Sequence, residues 1–298
     1  MKKKYHISVL LKESIENLNI KKNGIYIDST FGCGGHSKMI LSKLGKKGKL
    51  FSFDKDPKVI YFINKIKDKR FFFINQNFSN LHKIKLEGKI NGILFDLGLS
   101  SFQLDDPKRG FSFINNGPLD MRMNQKEKIT ALKWIKSTNI KKLNFVLKNF
   151  GEEKNSKRLA KAIYEYNKVK PINNTKELSN LIKLNYNQNN IKNKHPATRS
   201  FQAIRIYINN ELKELECALK YSLKLLSNKG RISIISYHSL EDRIVKNFIK
   251  FNNIKYIKNN KNIKKNKLKF IGKFRPSLFE IKNNYRSRSA ILRIAEKI

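Results

Sequence analysis

Through its first hundred residues the chain alternates short apolar runs with helix-forming segments, and that alternation restricts it to βαβ units on a mainly parallel sheet. Gly24-Ile-Tyr-Ile-Asp28, Leu50-Phe-Ser-Phe-Asp54, Arg70-Phe-Phe-Phe-Ile74 and Gly92-Ile-Leu-Phe-Asp96 read as four strands, three of them closing on a carboxylate. From about Phe102 to Pro196 strand signals stop and amphipathic helices such as Ala131-Leu-Lys-Trp-Ile135 and Lys157-Arg-Leu-Ala-Lys-Ala-Ile163 take over. A long helical stretch is expected from Arg199 to Leu226, closing at the turn Ser227-Asn-Lys-Gly230. Strands resume at Arg231-Ile-Ser-Ile-Ile-Ser236 and Ser289-Ala-Ile-Leu-Arg-Ile294, while the Lys/Asn-rich stretch from Phe251 to Lys267 reads as a flexible loop. The expected architecture is α/β: a doubly wound, Rossmann-like sheet formed by 1–101 and 199–298, interrupted after its fourth strand by a helical insert over 102–198.

Charge bears on the partners. The formal net charge is +41, which suits a polyanion. Only 12 of the 64 basic residues are Arg, however, and a Lys-, Asn- and Ile-crowded chain of this kind is also what AT-rich coding produces, so drift and nucleic-acid binding both account for the excess. No run reaches the roughly 18 apolar residues of a membrane span, and Lys12 and Glu13 cut Ile7 to Leu11 too short for a secretory signal. The expectation is a soluble, cytoplasmic protein. Cys33 and Cys217 lie far apart without metal-ligand spacing, so neither a metal site nor a disulfide framework is implied.

The turn Asp28-Ser-Thr-Phe-Gly32-Cys-Gly34-Gly35-His36-Ser37 stands where the first strand hands over to a helix. Glycines there let a ligand approach the backbone, although the same residues also make an ordinary tight turn. Asp54 ends the next strand 22 residues after Gly32, where a carboxylate commonly accepts ribose hydroxyls; it could equally cap the helix opening at Pro57. NAD and S-adenosylmethionine both carry such a ribose. Phe78, after the third strand, could lie against an adenine or simply belong to the core. Asp96, after the fourth, faces the crevice in which ligands of open α/β sheets sit, and a carboxylate there suits the amino-acid end of S-adenosylmethionine better than a nicotinamide.

A series of motifs in order then resembles the small-subunit ribosomal RNA methyltransferase H family. They are His6 with Val9-Leu-Leu11; Gly32-Cys-Gly-Gly-His-Ser37; Asp54-Lys-Asp-Pro57; Asp96-Leu-Gly-Leu-Ser-Ser101; Gln103-Leu-Asp-Asp-Pro107; Arg109-Gly-Phe-Ser-Phe113; Gly117-Pro-Leu-Asp-Met-Arg-Met123; Lys194-His-Pro-Ala-Thr-Arg199; Ser236-Tyr-His-Ser-Leu-Glu-Asp-Arg243; and Arg286-Ser-Arg-Ser-Ala290. The chain departs from the family pattern at Cys33 and at Tyr237, where Phe is usual. The resemblance implies methylation of N4 of a cytidine in the decoding region of 16S rRNA within the small ribosomal subunit. It further implies S-adenosylmethionine as cofactor, with Gly34, Gly35, His36, Asp54, Phe78, Asp96 and Gln103 contacting it; His36 and Gln103 come from the resemblance alone. Two copies of the chain could pair.

Cytosine N4 is a poor nucleophile because its lone pair is delocalised into the ring, so an enzyme must orient it and accept hydrogen bonds from its N–H. Asp96, Ser100 and Ser101 are candidates for that task. His238 is another, with a structural alternative in which it is hydrogen-bonded while Ser239 caps the following helix. Arg109, Lys157, Arg158, Lys161 and Arg199 are the expected phosphate contacts, and Phe102, Phe111, Phe113 and Trp134 could stack on an extruded base or form core. A nicotinamide dehydrogenase and a non-catalytic, basic RNA-binding protein on the same fold are the competing readings; the G-x-G-G turn with Asp96 argues against the first, and an intact cofactor constellation against the second.

Overall fold

The computed structural model describes residues 7–83, 88–186, 195–253 and 267–298. The chain divides into two compact units, Met1–Gly98 with Leu212–Ile298, and Leu99–Glu211.

The first unit is built on a seven-stranded sheet of order β3-β2-β1-β4-β5-β7-β6, with β1 Ile25–Asp28, β2 Lys49–Phe53, β3 Phe71–Ile74, β4 Ile90–Asp96, β5 Leu226–Ser236, β6 Leu268–Phe274 and β7 Ile291–Lys297. Strands β1 to β5 are parallel, and β7 runs antiparallel to both β5 and β6. The two faces of the sheet feed different clusters. Ile93 and Phe95 pack with Ile27, Phe53 and Ile234 on one side, whereas Leu94 between them packs with Tyr26, Leu50, Ile40 and Leu44 on the other. A strand buried on both faces has no polar alternation, which is why β4 reads as a continuous apolar run. Each such fully buried side chain stabilises the fold by about 1.5–3 kcal/mol relative to exposure. Helices α1 Leu11–Asn17, α2 Gly35–Lys43 and α3 Ile60–Ile63 belong to this unit.

Strand β6 was not anticipated. It is an edge strand whose Lys269, Phe270 and Lys273 are exposed, and a register shift lies between Phe270 and Gly272, so it carries neither an apolar run nor clean alternation. The expected turn Ser227–Gly230 lies inside β5 as an irregularity: the ladder steps from Ile90↔Leu226 to Gly92↔Arg231, with Lys229 at φ 60°. The Lys/Asn-rich loop expectation falls mainly on residues outside the described ones, as do His6 and Lys194.

The second unit holds α4 Ser101–Asp105, α5 Ala131–Ser137, α6 Ile140–Gly151, α7 Ser156–Val169, α8 Thr175–Leu184 and α9 Ala197–Asn209. The helical stretch expected over Arg199 to Leu226 consists of two helices, α9 and α10 Glu211–Leu225, separated by Asn210 at φ 52°. Asn tolerates the left-handed conformation through its short polar side chain, and this is a break that apolar periodicity does not reveal. Ala197, Phe201, Ala203 and Ile204 of α9 pack with Leu143, Val146 and Leu147 of α6. The two units meet along the sequence after Gly98 and after Glu211.

Arg109 requires a correction. Its side chain is fully buried, Nη2 donates to the carbonyls of Arg122 (2.9 Å) and Met123 (2.8 Å), and the guanidinium lies 5.6 Å from the Phe111 ring centre. Beside it Gly110 has φ 68°, and a Cβ there would stand 2.1 Å from the Pro118 carbonyl oxygen. The two motifs around Arg109 and Met121 thus interlock, and Arg109 is a structural rivet, not a phosphate contact. Phe111 and Trp134 are likewise core.

Candidate active site

Chain order reverses across the sheet at β1: β2 and β3 continue to one side, β4 and β5 to the other. The crevice at the carboxyl ends of β1 and its neighbours is the topological switch point of this sheet. Backbone hydrogen bonds shape it. Ser29 N–H donates to Leu94 O (2.8 Å) and Phe31 N–H to Phe53 O (2.8 Å), so the turn after β1 is tied to both flanking strands. Thr30 Oγ1 accepts from Asp96 N–H at 2.6 Å, and buried Asp28 accepts from Ser37 Oγ at 2.6 Å and from Thr30 N–H at 3.1 Å. Ser37 Oγ also lies 2.8 Å from Ser52 Oγ, which joins α2 to β2 beneath the turn. Thr30, Ser37 and Ser52 escaped the sequence reading; small hydroxyls among glycines look like turn residues until the strand order brings their partners alongside.

Gly34 caps α2 at φ 79°, a conformation costly for a side-chain-bearing residue, and a Cβ there would press on the Phe31 ring at 2.9 Å. At Gly35 a Cβ would meet Ser8 Oγ at 1.9 Å. His36 is buried in the first turn of α2, and burial holds its imidazole below the usual histidine range, hence neutral near pH 7.

Asp54 follows β2 directly. Its Oδ2 accepts from Gly32 N–H and its Oδ1 from Asp56 N–H, both at 2.9 Å. Each carboxylate oxygen has a second lone pair, so an acceptor position remains on each for a vicinal diol. Burial raises the Asp54 carboxyl to about 6, against the opposing pull of these two N–H groups. The cap of the turn at Pro57 is Asp56, which accepts from Lys58 N–H at 3.0 Å, and not Asp54.

Asp96 ends β4. Tyr237, just past the end of β5, donates its hydroxyl to Asp96 Oδ1 at 2.7 Å, and His36 Nδ1 lies 3.6 Å from Asp96 Oδ2. Burial, with the Glu241 charge adding to it, raises the Asp96 carboxyl to about 7, and the Tyr237 hydrogen bond works against the rise. Tyr237 entered the sequence reading only as a departure from Phe. Its meeting with Asp96 follows from the parallel register Asp96↔Ile235, which sets residue 237 just beyond the end of the neighbouring strand.

His238 is the N-cap of α11 Ser239–Asn252: its Nδ1 accepts from Glu241 N–H at 3.4 Å, and Nε2 lies 3.1 Å from Glu241 Oε1. Both ring nitrogens lie close to Glu241, and the cap of this helix is His238 itself, in place of the Ser239 suggested by the sequence.

Phe78 opens the 3-10 turn Phe78–Lys83 after β3, half-buried and edge-on to Phe95 with ring centres 5.7 Å apart. Ser100, Ser101 and Gln103 lie at the start of the second unit, where Gln103 Oε1 accepts from Ser100 N–H at 3.0 Å across the N-terminus of α4. In the same unit Lys157, Arg158, Lys161 and Arg199 are exposed, Lys161 lies 3.7 Å from Glu165, and Arg199 Nη1 donates to the carbonyl of Glu152 at 3.2 Å.

Fold and site define the class: a Rossmann-like, S-adenosylmethionine-dependent methyltransferase. The MraW methylase family model matches residues 3–298, and the chain belongs to that family. It is 54% identical to "Ribosomal RNA small subunit methyltransferase H" of Buchnera aphidicola subsp. Acyrthosiphon pisum (strain Tuc7), over 98% of this chain and 97% of that one. Identity is also 54% to the protein so named in Wigglesworthia glossinidia brevipalpis, over 98% and 99% of the two chains, and 52% to that of Hamiltonella defensa subsp. Acyrthosiphon pisum (strain 5AT), over 98% of each. The residues at the crevice fit the cofactor. Two carboxylates, Asp54 and Asp96, end the strands on either side of β1 in a chain of net charge +41, and that local negative potential suits a ligand carrying a sulfonium and an ammonium. Among the described residues no helix is long and apolar enough to cross a membrane.

Proposed function

We propose that the protein methylates N4 of a cytidine in the decoding region of 16S rRNA within the small ribosomal subunit, and that Asp96 orients the amine. The observation that carries this reading is Asp96 at the switch point, its backbone N–H held by Thr30 Oγ1 and its carboxylate by the Tyr237 hydroxyl, with the carboxyl raised to about 7. A preorganised acceptor of that acidity can hold the N4–H group, favour pyramidal nitrogen and give up little energy to reorganisation as the amine attacks. When bound, S-adenosylmethionine supplies an electrophilic methyl. The chain's own part is to seat the ribose on Asp54, keep the backbone bare at Gly34 and Gly35, and present Asp96 to amine and cofactor, with Phe78 beside the adenine. His36, neutral and buried, would stiffen Asp96 without adding a charge. The family resemblance adds Gln103 as a cofactor contact, with Ser100 and Ser101 as further candidates to orient the amine. The names of the relatives support small-subunit rRNA as the substrate, and their identity over nearly the full length supports an intact enzyme over a binding protein that has lost its chemistry.

In this reading the insert over 99–211 handles RNA and the sheet unit handles cofactor. Replacing Lys157, Arg158 and Lys161 together with Ala is expected to weaken RNA binding and to flatten its salt dependence, because each lost phosphate contact lowers the slope by about 0.7 to 0.9. S-adenosylmethionine affinity should not change. Titrating labelled small-subunit RNA at several salt concentrations, alongside cofactor calorimetry and methyl transfer from labelled S-adenosylmethionine, tests both halves. Poor cofactor binding with normal RNA binding would reverse the division of labour.

A further inference from the structure

The connection between β6 and β7 belongs to the sheet unit and has no part in the chemistry described so far. Strand registers place it: Phe274 pairs with Leu292, Ser236 with Ile291, and Ile235 with Asp96, so residues 275–290 leave and re-enter the sheet at the same edge as Asp96. This segment is anchored. Glu280 Oε1 accepts from Leu10 N–H at 2.8 Å, Asn284 Nδ2 donates to Ile7 O at 3.0 Å, and Ser277 caps α12 Leu278–Asn283.

On that base the segment displays what a globular protein normally hides. Leu278 is 86% exposed, Phe279 78% and Tyr285 66%, and the Arg288 guanidinium lies 4.1 Å from the Tyr285 ring centre. Residues 275–290 contain four cations, Arg275, Lys282, Arg286 and Arg288, against one acid, Glu280, whose carboxylate is turned to the Leu10 backbone. Exposed rings interleaved with cations match single-stranded nucleic acid: every base has a face to stack, and every linkage a phosphate to neutralise. A second copy of the chain would bring another strongly basic surface to this one, since each carries +41.

We infer that the β6–β7 connection is a stacking platform that takes an unpaired stretch of the substrate RNA at the edge of the methyl-transfer crevice, holding the strand beside the nucleotide to be modified. The inference rests on the rRNA reading above. It adds an RNA surface on the catalytic unit itself, apart from the insert's cations.

The test uses the full-length protein and a fluorescent single-stranded RNA of decoding-region sequence, with the double variant Phe279→Ala/Tyr285→Ala and, separately, Lys282→Ala/Arg288→Ala. All four side chains are exposed, so S-adenosylmethionine affinity and thermal stability should match wild type and serve as fold controls. The ring variant is expected to lose about tenfold or more in affinity for the single strand, to lose far less for a duplex of the same sequence, and to keep its salt slope. The cation variant is expected to flatten that slope. Ring-variant binding equal to wild type, in a protein whose wild type methylates small-subunit RNA, overturns the platform and leaves the rRNA reading standing. A wild type that methylates no such RNA overturns both. Sedimentation showing a wild-type dimer that the ring variant dissociates, with RNA affinity unchanged, assigns the patch to a second copy and also overturns the platform.

Discussion

Asp96→Asn is expected to lower the methyl-transfer rate at saturating cofactor by on the order of a hundredfold or more, while the protein keeps its fold. The amide preserves the shape and one acceptor oxygen, so the Tyr237 hydroxyl and the Thr30 contact to the Asp96 backbone both survive. What goes is the charge, and with it the strength of the contact to an amine that turns cationic in the transition state. Loss of one preorganised polar contact of this kind costs a factor of about 10² to 10³ in rate, which is some 2.7–4 kcal/mol of barrier. A group that only bound cofactor would raise the binding constant and leave the saturated rate alone. The pH dependence gives the same residue a second signature. With its carboxyl raised to about 7, Asp96 in the free protein loses its charge as pH falls through neutrality, so cofactor affinity and rate should fall on the acid side of about pH 7. Asp28, His36, Tyr237 and Glu241 are the ionisable groups among the described residues that bear on this carboxylate, and burial holds His36 below the usual histidine range. Tyr237→Phe removes a hydrogen bond that favours the ionised form, so it should move the acid limb to higher pH. Asp96→Asn should abolish that limb and leave only the lower one, near pH 6, that Asp54 gives cofactor affinity. A normal saturated rate in Asp96→Asn, with weaker cofactor binding alone, would reduce Asp96 to a binding residue.

Asp54→Ala is expected to weaken S-adenosylmethionine binding by about tenfold to a hundredfold, the scale of a charge-assisted hydrogen-bond pair worth roughly 1.5–3 kcal/mol. The structure adds a second loss. The carboxylate also holds the N–H groups of Gly32 and Asp56, so Ala frees the glycine turn as well as the ribose. Asp54→Asn separates the two effects, because one amide oxygen can still serve one of the N–H donors while the amide nitrogen opposes the other. Because the carboxyl is raised to about 6 and its ionised form is the better acceptor, the affinity carried by Asp54 should be complete above that pH and fade below it. Calorimetry of both variants between pH 5 and 8 reads this directly, and an unchanged dissociation constant in folded Asp54→Ala would remove the residue from the site.

The parts of the fold that sequence discloses are those in which one residue's neighbours are its chain neighbours. Strands β1, β2 and β4 are short apolar runs bounded by turns, and Asp54 and Asp96 show themselves because each closes such a run. Edge strand β6 lacks that contrast because its exposed side carries Lys269, Phe270 and Lys273. Arg109 misleads in the opposite sense: against a Lys background an Arg in a Gly-Phe motif looks like a phosphate fork, and only tertiary packing reveals that it is fully buried, with Nη2 donating to two carbonyls. The Tyr237 contact depends on the 4-5 strand pairing and lies beyond any local pattern. His238 sits between these cases. A Glu three residues after a potential cap is a readable capping signal, but a histidine as the cap is uncommon enough that Ser239 looks the better candidate.

The most direct test is to locate the methyl. Small subunits whose RNA lacks the modification are incubated with the protein and isotopically labelled S-adenosylmethionine, and the RNA is then digested and its nucleosides and fragments are resolved by mass spectrometry. The expected result is label in N4-methylated cytidine at a single position of the decoding region, absent when Asp96→Asn replaces wild type. Label on a ring carbon, on a ribose hydroxyl, on another base or at a site outside the decoding region would contradict the account.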